Sequence, residues 1–263
     1  MAVSLVDIGV NLTSSRFDKD RSDVIIRARA AGVKEMLLTG TNVNESRKAL
    51  ALAQHHEYMY CTAGVHPHDA DGVEEDYLAQ LTELCQDNNV SAVGECGLDF
   101  NRNFSTPQNQ QRVFQEQLAL AVELKKPVFL HQRDAFPTWK GIIDEQLAKL
   151  SGGVSHCFTG SLAELKQVLD MGLYVGITGW ISDPKRGQDL FDIARYIPLD
   201  RLLLETDAPY LTPKNIRPRP KSSRNEPSYL SFVADTVATA MCVDKEVLIT
   251  QTTNNARQLF QWT

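Results

Sequence analysis

Pro127-Val128-Phe129-Leu130-His131 is a short apolar run that ends in an imidazole, and the stretches on either side of it, Gln108 to Leu124 and Phe136 to Leu150, read as helices. A run rich in Val, Leu and aromatics set between longer segments of helical period is the pattern of a repeated β/α unit around a parallel sheet. Working outward, seven further runs have the same character: Leu5 to Val10, Glu35 to Thr39, Tyr58 to Val65, Ser91 to Gly94, Gly153 to Phe158, Leu173 to Thr178 and Arg201 to Thr206. Helical stretches Asp18 to Ala31, Asn44 to His55, Glu74 to Asp87, Leu162 to Met171 and Gly187 to Tyr196 lie between them. Pro107 suits a first helical turn, and Gly32 and Gly172 each close a helix before a strand. A Pro-rich loop and two closing helices, Pro227 to Ala240 and Lys245 to Phe260, follow the eighth run. Eight units in a chain of 263 residues predict an α/β fold, a single-domain (β/α)8 TIM barrel over residues 1–263. No linker, internal repeat or low-complexity tract divides it.

Composition narrows the function. Hydrophobic residues at 43% and charged residues at 23% are ordinary for a globular protein. Met1 to Asp7 shows no basic stretch leading into an apolar leader, and no run of about 20 apolar residues follows, so a cytoplasmic protein with no membrane partner is expected, and separately a monomer. The cysteines at 61, 85, 96, 157 and 242 lack close pairing and read as reduced thiols. Cys96 and Cys157 read as core, since strand alternation points them away from their ionisable neighbours. A net charge of -6 argues against coating of nucleic acid by bulk attraction, so an anionic substrate must be held locally.

In barrels of this kind chemistry sits where strands end, because the loops that follow converge on one rim. His66 follows the third run, Glu95 the fourth, His131 ends the fifth, His156 lies near the end of the sixth and Asp207 follows the eighth. Two imidazoles and two carboxylates, Glu95, His131, His156 and Asp207, form a mixed nitrogen and oxygen set suited to zinc, manganese or magnesium with positions open to water. His55 and His56, at the end of the second helix, read as structural. His68 either supports His66 or faces solvent. After the last strand Lys214, Arg217, Arg219, Lys221 and Arg224 occur with no acidic residue from Ala208 to Asn225. With Arg102 and Arg133 from other rim loops they offer phosphate contacts, or simply a solvated loop. No Gly-x-Ser-x-Gly elbow, Gly-x-x-x-x-Gly-Lys loop or Gly-x-Gly-x-x-Gly turn is present, which removes serine hydrolases, P-loop nucleotidases and dinucleotide dehydrogenases.

Seven blocks in order resemble the TatD family of metal-dependent deoxyribonucleases. They are Asp7-Ile8-Gly9-Val10-Asn11-Leu12, Gly64-Val65-His66-Pro67-His68, Gly94-Glu95-Cys96-Gly97-Leu98-Asp99, His131-Gln132-Arg133-Asp134, His156-Cys157-Phe158-Thr159-Gly160, Glu205-Thr206-Asp207-Ala208-Pro209-Tyr210 and Arg224-Asn225-Glu226-Pro227. The resemblance implies a divalent cation on Glu95, His131 and His156, with Asp207 completing the site. It also implies magnesium-dependent trimming of DNA or RNA from the 3′ end, a preference for single strands and a link to DNA repair. Much of the wider family carries a His-x-His pair after strand one, where this chain has Gly9 and Asn11, so one ion or two remain open. In the mechanism expected, Asp207 orients or deprotonates the attacking water, His66 protonates the leaving oxygen, and His68, Arg133 and Arg224 hold the substrate. Phe104 and Tyr210 either stack on an unpaired base or pack. The rival expectation is an amide or ester hydrolase on the same barrel, such as a D-aminoacyl-tRNA deacylase.

Overall fold

Strands and helices alternate along the chain, and the structure, a computed structural model, describes residues 4–262. The reading of Met1 to Asp7 as lacking a leader therefore falls partly outside the described residues. The strands are β1 (Leu5–Val10), β2 (Val33–Leu38), β3 (Met59–Ala63), β4 (Val90–Asp99), β5 (Val128–Arg133), β6 (Gly153–Ser155), β7 (Tyr174–Ile177) and β8 (Leu202–Leu204). The helices are α1 (Arg21–Ala30), α2 (Val43–Ala53), α3 (Tyr77–Leu84), α4 (Pro107–Leu124), α5 (Phe136–Asp144), α6 (Leu162–Asp170), α7 (Gln188–Ile193), α8 (Leu230–Met241) and α9 (Lys245–Phe260). The strands belong to one sheet in the order β1 to β8, the order and alternation of the (β/α)8 class. The first and last strands of that order also meet, with Asp207 N donating to Gly9 O and Asn11 N to Ala208 O, each at 2.8 Å.

The chain divides into two compact units, Met1–Leu37 with Cys157–Thr263, and Leu38–His156. In the second, β3, β4, β5 and β6 pair in parallel over a core that fully buries Met59, Leu81, Leu98, Phe114, Phe129 and Trp139. In the first, β7 pairs with β8, and Ile8, Leu12, Phe17, Met36 and Leu37 are fully buried. Each such side chain contributes about 1.5–3 kcal/mol through removal from water.

Helix starts follow local chemistry. Asn42 and Thr106 cap α2 and α4 by accepting from Glu45 N and Asn109 N, Pro107 opens α4, and Ser161 and Glu164 form a reciprocal capping box on α6. Gly32 and Gly172 take the positive φ that closes α1 and α6.

Two expectations need correction. Glu95 does not follow the fourth strand but lies inside it, because β4 runs on past a register shift between Gly94 and Cys96 and keeps pairing with β5 as far as Asp99. That continuation requires Gly97, where a Cβ would collide with the His131 carbonyl oxygen of β5. Cys157 is only half-buried, since β6 stops at Ser155 and the left-handed φ at Cys157 breaks the strand alternation that the core reading assumed. Cys96 is fully buried as expected.

Candidate metal centre

The Leu38–His156 unit brings three imidazoles to one carboxylate oxygen. Oε1 of Glu95 lies 2.9 Å from His131 Nδ1, 3.4 Å from His156 Nε2 and 3.5 Å from His66 Nε2. Each comes from a different β/α unit: His66 follows β3, Glu95 lies within β4, His131 in β5, and His156 follows β6. All but His131 are buried, and His131 is nearly so.

Helix α4 fixes this end of the sheet with two buried glutamines seven residues apart, hence on one helix face. Gln117 clamps Val65, accepting from its N at 2.7 Å and donating to its O at 3.0 Å, which sets the backbone that enters His66. Gln110 does the same for Asp99, accepting from its N at 2.9 Å and donating to its O at 3.2 Å. Thus the helix behind the sheet dictates where two site residues emerge.

Asp99 is a site residue that the sequence reading missed. Its Oδ2 lies 2.7 Å from His68 Nε2 and 3.7 Å from His131 Nε2, and its Oδ1 accepts from Asn101 N and Arg102 N. The signal was present, since Glu95 and Asp99 are four residues apart in an extended strand and so share a face, but only if β4 is known to continue. His68, left open between support and solvent, is thereby tied to the cluster.

The electrostatics follow from burial and proximity. Burial alone would raise the Glu95 carboxyl, but the imidazoles of His66 and His156 and the His131 hydrogen bond outweigh it and hold it well below the usual carboxylate range. Asp99 is likewise held low against burial by His131 and His68. Burial pushes the His66 imidazole down to about 3 against the pull of Glu95, and His131 is raised because the neighbouring Asp99 and Glu95 carboxylates overcome its desolvation.

The residues present fit a divalent cation. His131 Nε2 is buried with no hydrogen-bond partner among the described residues, an orphan that a polar cluster carries only at a cost. His66, Glu95 and His131 each offer a ligand atom within 4.8 Å of the others. Imidazole nitrogen with carboxylate oxygen is a transition-metal donor set.

In the other unit, Asp207 follows β8 with φ 52°, and its Oδ1 accepts from Asn11 Nδ2 at 3.0 Å. Asn225 supports this turn by donating to Thr206 O at 2.9 Å, while Thr206 donates to the buried Asp7 through N at 2.9 Å and Oγ1 at 2.6 Å. Arg224 is engaged: Nη1 and Nη2 each lie 2.7 Å from an Asp20 oxygen, and Nη2 also meets Glu226 at 2.9 Å. Its expected role on a substrate phosphate therefore gives way to a tie between loop and α1. Arg133, at the end of β5, is half-buried, and its guanidinium has no hydrogen bond or ion pair among the described residues. Phe104 and Tyr210 are 64% and 52% exposed, so neither is a packing residue. His55 is structural, bonding Ala51 O through Nδ1 at 2.6 Å.

A family model described as TatD related DNase matches residues 6–261. The chain is 50% identical to the 3′-5′ ssDNA/RNA exonuclease TatD of Salmonella typhimurium, over 98% of this chain and 99% of the relative. It is 53% identical to the protein of the same description from Erwinia tasmaniensis, over 97% and 99%. Among solved structures it is similar to a hydrolase TatD family protein from Entamoeba histolytica (TM-score 0.91, 26% identity) and to a TatD homologue from Escherichia coli (TM-score 0.90, 27% identity). Both likenesses cover 100% of each chain.

Proposed function

Because the chain belongs to the TatD family of DNases and is a hydrolase acting on nucleic acid, we propose that it trims single-stranded DNA or RNA from the 3′ end. The observation that carries this reading is the convergence of His66, His131 and His156 on Glu95 Oε1, a cluster in which a buried His131 nitrogen has no hydrogen bond among the described residues.

Glu95, His131 and His156 would hold the divalent cation, with His66 beside them and Asp207 completing the set. When bound, the cation polarises a phosphodiester oxygen and makes water nucleophilic near neutral pH. Asp207, oriented by Asn11, positions that water and accepts its proton. His66 accepts from His68 N through Nδ1 and is buried neutral, which makes it a poor proton donor. The proton for the leaving oxygen then comes from His68, which is part-exposed and backed by Asp99. Arg133 holds the phosphate.

Magnesium is the metal that the family resemblance implied, with manganese or zinc as the alternatives. His66 beside the set adds a third imidazole near Glu95, and nitrogen donors favour zinc over magnesium. Five free cysteines support a reducing compartment, such as the cytoplasm. No helix among the described residues is long and apolar enough to cross a membrane.

The test is digestion of 3′-labelled and 5′-labelled single-stranded DNA with magnesium, manganese or zinc, beside His131→Ala and an acyl substrate. Metal-dependent loss of the 3′ label, abolished in the variant, is expected. Acyl cleavage without nuclease activity would replace this reading by the amide or ester hydrolase.

A further inference from the structure

Beside the metal cluster lies a cavity of about 470 Å³, whose lining includes Asn42, Arg47, His68, Asp69, Tyr77 and Phe104. His68 belongs to both places: it lines the cavity, and its Nε2 bonds the Asp99 carboxylate that also approaches His131. Its ring centroid is 6.4 Å from that of His131. Whatever fills the cavity is therefore a near neighbour of the reacting phosphate.

We propose that this cavity is a subsite for the 3′-terminal nucleobase and that Asp69 makes it favour bases carrying an exocyclic amine. The inference rests on the nuclease reading above and adds to it the means by which the strand end is recognised.

The argument starts from Phe104. An aromatic ring 64% exposed is unusual for so large an apolar group, and its edge-on contact with His68, 4.7 Å between centroids at 82°, holds it upright at the cavity. An upright, exposed ring offers a face on which any base can stack. Charge then decides which part of a nucleotide enters. The lining carries the carboxylates of Asp69, Asp71 and Glu74 against the guanidinium of Arg47, which bonds the neutral Gln80, and the imidazole of His68. A lining with excess negative charge repels phosphate and accepts a neutral base, so the phosphate stays outside, toward His68 and Arg133.

Selectivity comes from Asp69. Its Oδ2 accepts from Asn42 Nδ2 at 3.0 Å, while its Oδ1 has no partner among the described residues. An ionised carboxylate only accepts hydrogen bonds, so it pairs with the 4-amino group of cytosine and repels the 4-oxo group of uracil at the same position.

The test reads binding apart from turnover. An oligonucleotide with 2-aminopurine at its 3′ end, titrated with the full-length protein in chelator, should be quenched by stacking, and the same probe with the fluorophore at the 5′ end should not. Phe104→Ala should remove the quench and weaken binding about tenfold or more. Phe104 is exposed, so thermal melting should be unaffected. Single strands differing only in a terminal dC or dU should then be compared by kcat/KM with manganese. The wild type should favour dC by about tenfold and Asp69→Asn should erase that preference. Equal quenching at both ends, or an unchanged quench in Phe104→Ala, would overturn the subsite. Equal rates on dC and dU in the wild type would overturn the role of Asp69. A wild type that cleaves neither strand but quenches the 3′ probe would sink the nuclease reading while the subsite stood.

Discussion

His131 turns one ring nitrogen to Glu95, 2.9 Å from Nδ1 to Oε1, and leaves the other buried 3.7 Å from Asp99 Oδ2, beyond hydrogen-bond reach. A single imidazole on β5 is thus bracketed by two carboxylates of β4, four residues apart on the neighbouring strand. Asp99 orients His68 through its hydrogen bond and faces His131 without bonding it. Such supporting carboxylates govern how well a cation is held.

Asp99→Asn is expected to keep the Oδ1 bonds to Asn101 N and Arg102 N while replacing the charged oxygen that faces His68 and His131. Calorimetric titration with manganese should show affinity lower by about 10–100-fold. Wild-type affinity would reduce Asp99 to a loop anchor.

Asp207→Asn keeps an oxygen for the Asn11 amide but can no longer accept a proton. Cleavage of end-labelled single strands should fall by about 100- to 10,000-fold, the usual span for loss of a general base. Undiminished cleavage by this variant would take Asp207 out of the mechanism.

The Asp20 pair with Arg224 predicts acid sensitivity. Arg224, helped by Arg27, holds the Asp20 carboxyl at about 2, below the ordinary 3.8. The native carboxylate therefore stabilises fully above pH 4, and the contribution is lost as pH falls from about 4 to about 2. Screening of this partly exposed pair leaves about 1 kcal/mol at pH 7. Urea unfolding of wild type and Asp20→Asn should differ by that amount at pH 7 and by roughly half at pH 3. A pH-independent difference would mean that the ion pair is not its source.

Thiol reactivity should separate the five cysteines. Burial pushes Cys85 up to about 11 and raises Cys61 and Cys96 further, whereas Cys242 is exposed. An aromatic disulfide reagent should modify Cys242 quickly, half-buried Cys157 slowly and the other three only in denaturant. Rapid labelling of Cys96, read by peptide mass spectrometry, would contradict the packing of β4.

By itself the sequence determined the alternation of strands and helices, the helix start at Pro107 and the helix ends at Gly32 and Gly172, and the strand-end positions of His66, His131 and His156. These depend on hydrophobic period and on hydrogen bonds within a few residues, which are written locally. Only the tertiary structure decided that Glu95 lies inside β4, that Asp99 joins the cluster, that His66 is held neutral and that Arg224 is tied to Asp20. Each of those depends on a register shift, a desolvated position or a partner up to 204 residues away, and distance and burial between remote segments exist only once the chain has packed.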